Sequence, residues 1–139
     1  MPVYVRLRIA SETYAMPVGH VLAVADIGQI RAVPRARPEL LGLWNRRGRI
    51  LPVVDLAQLL GVTRTGPPQR VLIAEARGHQ ACFAIDEVSE IGELADPAEE
   101  TDSDLLAGAT LAGGHLVGVI DVPRAFASLE GLSGERPRR

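Results

Sequence analysis

Three histidines, one cysteine and a few aspartates are the residues of this 139-residue chain best suited to hold a metal, attack a substrate or move a proton. His20, His79 and His115 fall in three separate segments that read as turns. No pair has the i,i+4 spacing that sets two imidazoles on one helix face, so no metal site is expected. Cys82 lies in the apolar run Ala81-Cys82-Phe83-Ala84-Ile85, the setting of a buried, inert thiol. Only His79 is near it in sequence, across a turn, and nucleophilic catalysis needs both a base and a group to orient it. There is no serine in a nucleophile elbow, no P-loop and no G-x-G-x-x-G. Asp55, Asp86 and Asp121 each close an apolar strand, where a carboxylate caps a helix or forms a turn. The residues point away from an enzyme and from a cofactor, and towards an interaction module.

One polar group stands out. Asn45-Arg46-Arg47-Gly48-Arg49 joins the apolar segments Leu40–Trp44 and Ile50–Val54, which reads as a hairpin with Gly48 supplying a positive φ. Arg47 in such a turn can present its guanidinium fork to a carboxylate of a partner, or brace its own domain through backbone carbonyls or an acid such as Asp26. Arg46 and Arg49 read as solvated. Pro52 removes a ladder donor, so its strand is expected at an edge or a bulge. Asp55 then caps a short helix, Leu56–Leu60.

The elements that must position this turn are short strands. Hydrophobic residues make up 47% of the chain and aromatic residues 4%, so the core is built from Val, Leu, Ile and Ala. Ten prolines and fourteen glycines punctuate the apolar runs, which favours small barrels or sandwiches over a helix bundle. The net charge of −2 gives no global attraction for nucleic acid. The charge is nevertheless uneven: residues 1–70 hold ten Arg and four acids, and residues 71–139 five Arg and thirteen acids. A single cysteine rules out an intramolecular disulfide. The N-terminus lacks a secretory apolar region, and no apolar run approaches the ~20 residues of a spanning helix. A cytoplasmic protein without direct membrane insertion is expected.

Val3, Val5, Leu7 and Ile9 alternate with Tyr4, Arg6 and Arg8, the pattern of a half-buried strand. A second strand follows over 13–18 and an apolar element over 21–27. An extended loop over 33–38 then leads into the hairpin and its helix. After the polar Gly-Pro-Pro loop of 63–69 the same grammar returns. Strands over 70–76 and 81–85 precede an element over 88–94, an acidic loop, a hairpin turning at Gly113-Gly114, Asp121 and a helix over 122–129. The expected fold is mostly β: two pseudo-symmetric five-stranded SH3-like barrels in tandem with short helices, forming one domain. The approximate halves are 12–66 for the first barrel and 67–129 for the second, with the N-terminal strand crossing between them and 131–139 a flexible tail.

Gly42-Leu43-Trp44-Asn45-Arg46-Arg47-Gly48-Arg49-Ile50-Leu51-Pro52-Val53-Val54-Asp55-Leu56 resembles the G-x-x-N-x-R-G-x-x-x-P-V-V-D-L signature of the CheW family of chemotaxis adaptors. Tyr14–Val18, Phe83–Val88 and Leu105–Gly108 support the resemblance, which runs from Val5 to about Leu129. It implies a non-catalytic scaffold in signal transduction that joins the cytoplasmic tip of a methyl-accepting chemoreceptor to the regulatory domain of a CheA-type histidine kinase. It also implies a receptor-binding groove with Val21, Gly42, Asn45, Arg47 and Val88, and a kinase-binding patch with Ile27 and Ile30. Where the family often carries Glu in V-x-E-V, this chain has Ala23, so a brace for Arg47 must come from elsewhere, with Asp26 the candidate. Two other readings remain: a scaffold of the same kind serving another motility or signalling array, and a small-barrel nucleic-acid binder. The second lacks clustered aromatic platforms, since Tyr4, Tyr14, Trp44, Phe83 and Phe126 are scattered.

Overall fold

A computed structural model describes residues 1–130; the tail expected at 131–139 lies outside the described residues. Ten strands occur in chain order: β1 (Val3–Ile9), β2 (Glu12–Pro17), β3 (Val21–Asp26), β4 (Leu40–Arg46), β5 (Arg49–Asp55), β6 (Arg70–Ala76), β7 (His79–Ile85), β8 (Glu87–Glu93), β9 (Leu106–Ala112) and β10 (His115–Ile120). Helix α1 (Leu56–Leu60) follows β5 and helix α2 (Val122–Ala127) follows β10. A tight hairpin closed by a type I′ turn needs two consecutive residues at positive φ. The chain meets this need with Arg47-Gly48, Arg77-Gly78 and Gly113-Gly114.

The strands form two five-stranded sheets, ordered β8-β1-β2-β10-β9 and β3-β6-β7-β5-β4, each curled into a small SH3-like barrel. The repeat read from the sequence is present, with β1–β5 and α1 matching β6–β10 and α2. The barrels, however, do not divide the chain near residue 66. Each combines the first two strands of one repeat with the last three strands of the other. Parallel pairing sets this exchange: β2 pairs with β10, and β7 with β5. The nested barrel uses β3–β7, and the flanking barrel uses β1, β2 and β8–β10. Pro52 does not mark an edge strand, because β5 lies between β4 and β7. The proline is tolerated there because pairing with β7 begins one residue later, at Val53.

The largest apolar cluster lies between the barrels. It joins Leu7 and Ile9 of β1, Met16 of β2, Leu72 of β6, Phe83 and Ile85 of β7, and Leu56 of α1. A smaller cluster fills the nested barrel around Val53, Val71, Ile73 and Cys82, and another fills the flanking barrel around Tyr4, Ala15 and Val117. Strands β6 and β7 therefore bury both faces, one inside their own barrel and one against the other. Continuous apolar runs follow from this double burial. On β1, Arg6 and Arg8 instead face outward and meet Glu90 at 2.7 Å and Glu87 at 3.1 Å on β8. Burial pushes the Cys82 thiol up to about 11, partly offset by the Arg46 charge, so it stays neutral and protected.

Candidate interaction surface

The residues expected to share a groove divide among three settings. Val21 of β3 and Val88 of β8 occupy equivalent places in the two repeats, and both pack, half-buried, on the central cluster between the barrels. Asn45 and Arg47 sit at the exposed β4–β5 turn. The Asn45 Oδ1 accepts the Gly48 N–H at 3.0 Å, which closes the turn. Strands β3 and β4 lie at opposite ends of the hydrogen-bonded order of the nested sheet, so the turn and Val21 come from its two edges.

Gly42 is buried and does not line a surface. Its φ is +150°, and an added Cβ would stand 2.3 Å from the Arg31 carbonyl oxygen and 2.5 Å from Ile30 Cγ2. The missing side chain lets the 27–31 segment lie on β4, where Arg31 and Leu43 exchange backbone hydrogen bonds of 2.9 and 2.8 Å. Ile27 and Ile30, expected in a kinase-binding patch, are half-buried by packing against the nested barrel's interior with Leu41 and Trp44. The large apolar side chains left exposed on β3, β4 and β5 are Leu22, Val24, Leu43 and Ile50.

Asp26 does not brace Arg47. It lies on β3 with Arg70 at 3.4 Å, and both partners are largely exposed. Arg47 has no ion-pair partner among the described residues. Its φ is +54°.

The bracing arginine is instead Arg64, in the loop after α1. Its Nη2 donates to Asp55 Oδ1 at 2.7 Å and to the Ala84 carbonyl at 3.3 Å, and its Nη1 donates to Asp86 Oδ1. The three side chains are 11%, 8% and 17% exposed. Asp55 Oδ1 also accepts the Ala57 N–H at 3.1 Å, capping α1, and Asp86 Oδ2 accepts the Ala10 N–H at 2.5 Å. One guanidinium thus ties the ends of β5 and β7 to a carboxylate that holds the β1–β2 turn of the other barrel. The two aspartates were visible in the sequence as strand-closing residues. Nothing local marked Arg64 as their partner.

Two clefts open on the surface. One of about 480 Å³ lies between α2 and the β6–β7 hairpin, lined by Pro52, Ala76, Arg77, His79, Phe126 and Glu130. Phe126 meets Phe83 of the core edge-on, with ring centroids 5.9 Å apart. The other, about 380 Å³ and polar, lies beside Arg8, Gln69, Arg70 and Asp86. His20 is tied by Nδ1 to the Glu75 carbonyl at 2.9 Å, while His79 and His115 begin separate strands. Among the described residues no three His, Cys, Asp or Glu groups are placed to hold a metal ion, and no helix is long and apolar enough to cross a membrane.

Two small barrels that exchange strands and share an apolar cluster between them make up the fold. The chain belongs to the CheW-like domain family, whose model matches residues 3–130. It is 29% identical over 107 residues to a probable chemotaxis protein CheW of Rhizobium etli, covering 73% of this chain and 69% of that one. It is 30% identical over 115 residues to the protein FrzA of Myxococcus xanthus, covering 81% and 70%. The crystal structure of the scaffolding protein TtCheW from Thermoanaerobacter tengcongensis superposes with a TM-score of 0.79 at 26% identity, covering 88% of this chain and 86% of that one. The family is one of chemotaxis scaffolding and coupling proteins.

Proposed function

We propose that the protein is a non-catalytic cytoplasmic adaptor that couples the cytoplasmic tip of a methyl-accepting chemoreceptor to the regulatory domain of a CheA-type histidine kinase. The observation that carries this reading is the CheW-like match across the whole described chain, joined to a double barrel like that of a solved CheW scaffold. The receptor tip would lie along the seam between the barrels at Val21 and Val88, with the Asn45–Arg47 turn at its margin and Gly42 shaping the support beneath. The kinase would meet the nested barrel where Ile27 and Ile30 pack, chiefly through the exposed Leu43 and Ile50. Arg47 suits such a contact because it is exposed and holds no acid of its own barrel.

Isothermal titration against the receptor tip and against the kinase domain, each alone, tests the proposal. Arg47→Ala is expected to weaken receptor binding at least tenfold, as truncation of an interface Arg costs ~2 kcal/mol or more. Arg46→Ala and Arg49→Ala are the charge-matched controls. Equal small losses for all three would remove Arg47 from the site, and no binding of folded protein to either partner would overturn the adaptor role. Kinase binding without receptor binding would assign the chain to an array with an altered receptor contact, the reading that Ala23 favours.

A further inference from the structure

Within residues 1–130 the chain passes between the barrels only twice. It leaves the flanking barrel after β2 through a short helical turn, Val18–His20, and enters the nested barrel at Val21. It returns after β7 through a single residue, Asp86, and enters β8, where Val88 is the second residue. Each seam valine therefore follows a crossing directly, and on its other side each meets a bulge. Val21 pairs with Ala74 and Ala23 with Ile73, which leaves Leu22 unmatched. Val88 pairs with Leu7 and Glu90 with Arg6, which leaves Ser89 unmatched. A bulge bends its strand and re-aims the side chains beside it. The two valines thus occupy short stretches between a crossing and a bulge, and their places depend on what holds the crossings.

The crossings are held unequally. At the first, His20 Nδ1 bonds to the Glu75 carbonyl of β6 at 2.9 Å. At the second, Asp86 is gripped from both barrels. Its N–H donates to the Arg8 carbonyl at 3.1 Å, and its Oδ2 accepts the Ala10 N–H at 2.5 Å, both in the β1–β2 hairpin of the flanking barrel. Its Oδ1 accepts from Arg64 Nη1. Arg64 is anchored on the nested barrel by Asp55 Oδ1 at 2.7 Å and the Ala84 carbonyl at 3.3 Å. A guanidinium holds its donors in a rigid planar fork, so this set of contacts fixes Asp86 relative to Asp55. Arg8, at 3.8 Å from Asp86 and with its side chain 47% exposed, supplies charge without that geometry.

We infer that Arg64 is a positioning residue for the seam: by clamping the Asp86 crossing to the nested barrel, it fixes Val88 relative to Val21 and so sets the width of the groove between them. Arg64 acts through Asp86 and not by touching a partner. The inference rests on the adaptor reading only in taking this seam as the place where the receptor tip binds.

Two measurements test it, and the first needs no partner. Leu22→Cys and Ile91→Cys place spin labels at exposed sites on the strands that carry Val21 and Val88, and pulsed electron resonance reads the distance between them. Cys82 is buried and takes no label. Arg64→Lys keeps the positive charge but replaces the fork with one ammonium on a flexible stem. The labelled chain should give a narrow distance distribution, and Arg64→Lys should shift or broaden it. In unlabelled protein, Arg64→Lys should weaken receptor-tip binding about tenfold, the scale of effects relayed through intervening residues. Binding of the kinase domain should stay within about twofold. Asp86→Asn still accepts the Ala10 N–H but loses the ion pair, and it should show the same split if Arg64→Lys melts early. Unchanged label distances in Arg64→Lys would overturn the inference, since charge alone would then hold the seam. Equal losses towards both partners would also overturn it and assign Arg64 to general stability. Should the unaltered chain not bind the receptor tip, the adaptor reading fails, and the label distances alone decide whether Arg64 sets the seam.

Discussion

The two helices begin in the same way and end up in different circumstances. Asp55 and Asp121 each close a barrel strand and cap the next helix, accepting from Ala57 and Arg124 N–H groups at 3.1 Å. At the first, Arg64 joins Asp55 to Asp86 in a nearly dry junction that reaches the other barrel. At the second, Arg124 approaches Asp121 at 3.6 Å with its side chain 61% exposed. The cap is a property of the repeat, whereas the junction depends on the loop that follows the helix. Two ion pairs with the same charges thus differ in weight through burial and through the number of segments they connect.

Removing each arginine is the strongest way to break this comparison. Arg64→Ala leaves the buried Asp55 without a counter-charge and Asp86 with only the more exposed Arg8, at 3.8 Å, and should cost about 3–5 kcal/mol in urea unfolding. Arg124→Ala should cost no more than about 1 kcal/mol. Similar shifts in the two variants would show that the junction is no more than another surface pair. The equivalent glycines give a smaller contrast. Gly42→Ala drives a Cβ to 2.3 Å from a backbone oxygen, whereas at Gly108 the nearest atoms are the Glu99 oxygen at 2.8 Å and Pro97 Cβ at 2.9 Å. Losses of about 2–3 kcal/mol and about 1–2 kcal/mol are expected from the melting curves, since both backbones must yield and the first more. The reverse order would place the tighter strand–loop packing in the flanking barrel.

The smallest effect concerns the two hairpin turns. Arg47 holds a φ of +54° where its counterpart Gly113 holds +58°. Arg47→Gly relieves the left-handed strain at some entropic cost, so stability should rise by no more than about 1 kcal/mol. Under the adaptor reading the same change should still weaken partner binding. A variant that lost stability instead would show that the Arg47 side chain supports the fold.

How far the sequence spoke depended on whether a signal was local. The alternation of Val5, Leu7 and Ile9 with Arg6 and Arg8 located β1, although Tyr4, on the same face as the two arginines, is buried in the flanking barrel and Val3 is exposed. The order strand, turn, strand, strand, hairpin, Asp, helix was legible twice over. The exchange of strands was not, because the parallel pairing of Tyr14 with Gly118 spans most of the chain and leaves no trace in either neighbourhood. The same distance hid Arg64. Gly42, Ile27 and Ile30 illustrate another limit. A residue's place in a motif does not say whether it faces a partner or supports the residues that do, and burial assigns Gly42 to support.

The exchange of strands also sets an order on synthesis. All strands of the nested barrel come from residues 21–85, so it can close once β7 has left the ribosome. β1 and β2 emerge earlier but must wait for β10 to complete their sheet. At ~5–20 residues per second, the delay between the ends of β7 and β10 is about 2–7 s. During that interval the edge of β2 that will receive β10 has no strand to pair with, and an open edge is a template for pairing with other nascent chains. A chaperone that held this N-terminal hairpin would act in that window, before the last third of the chain arrives.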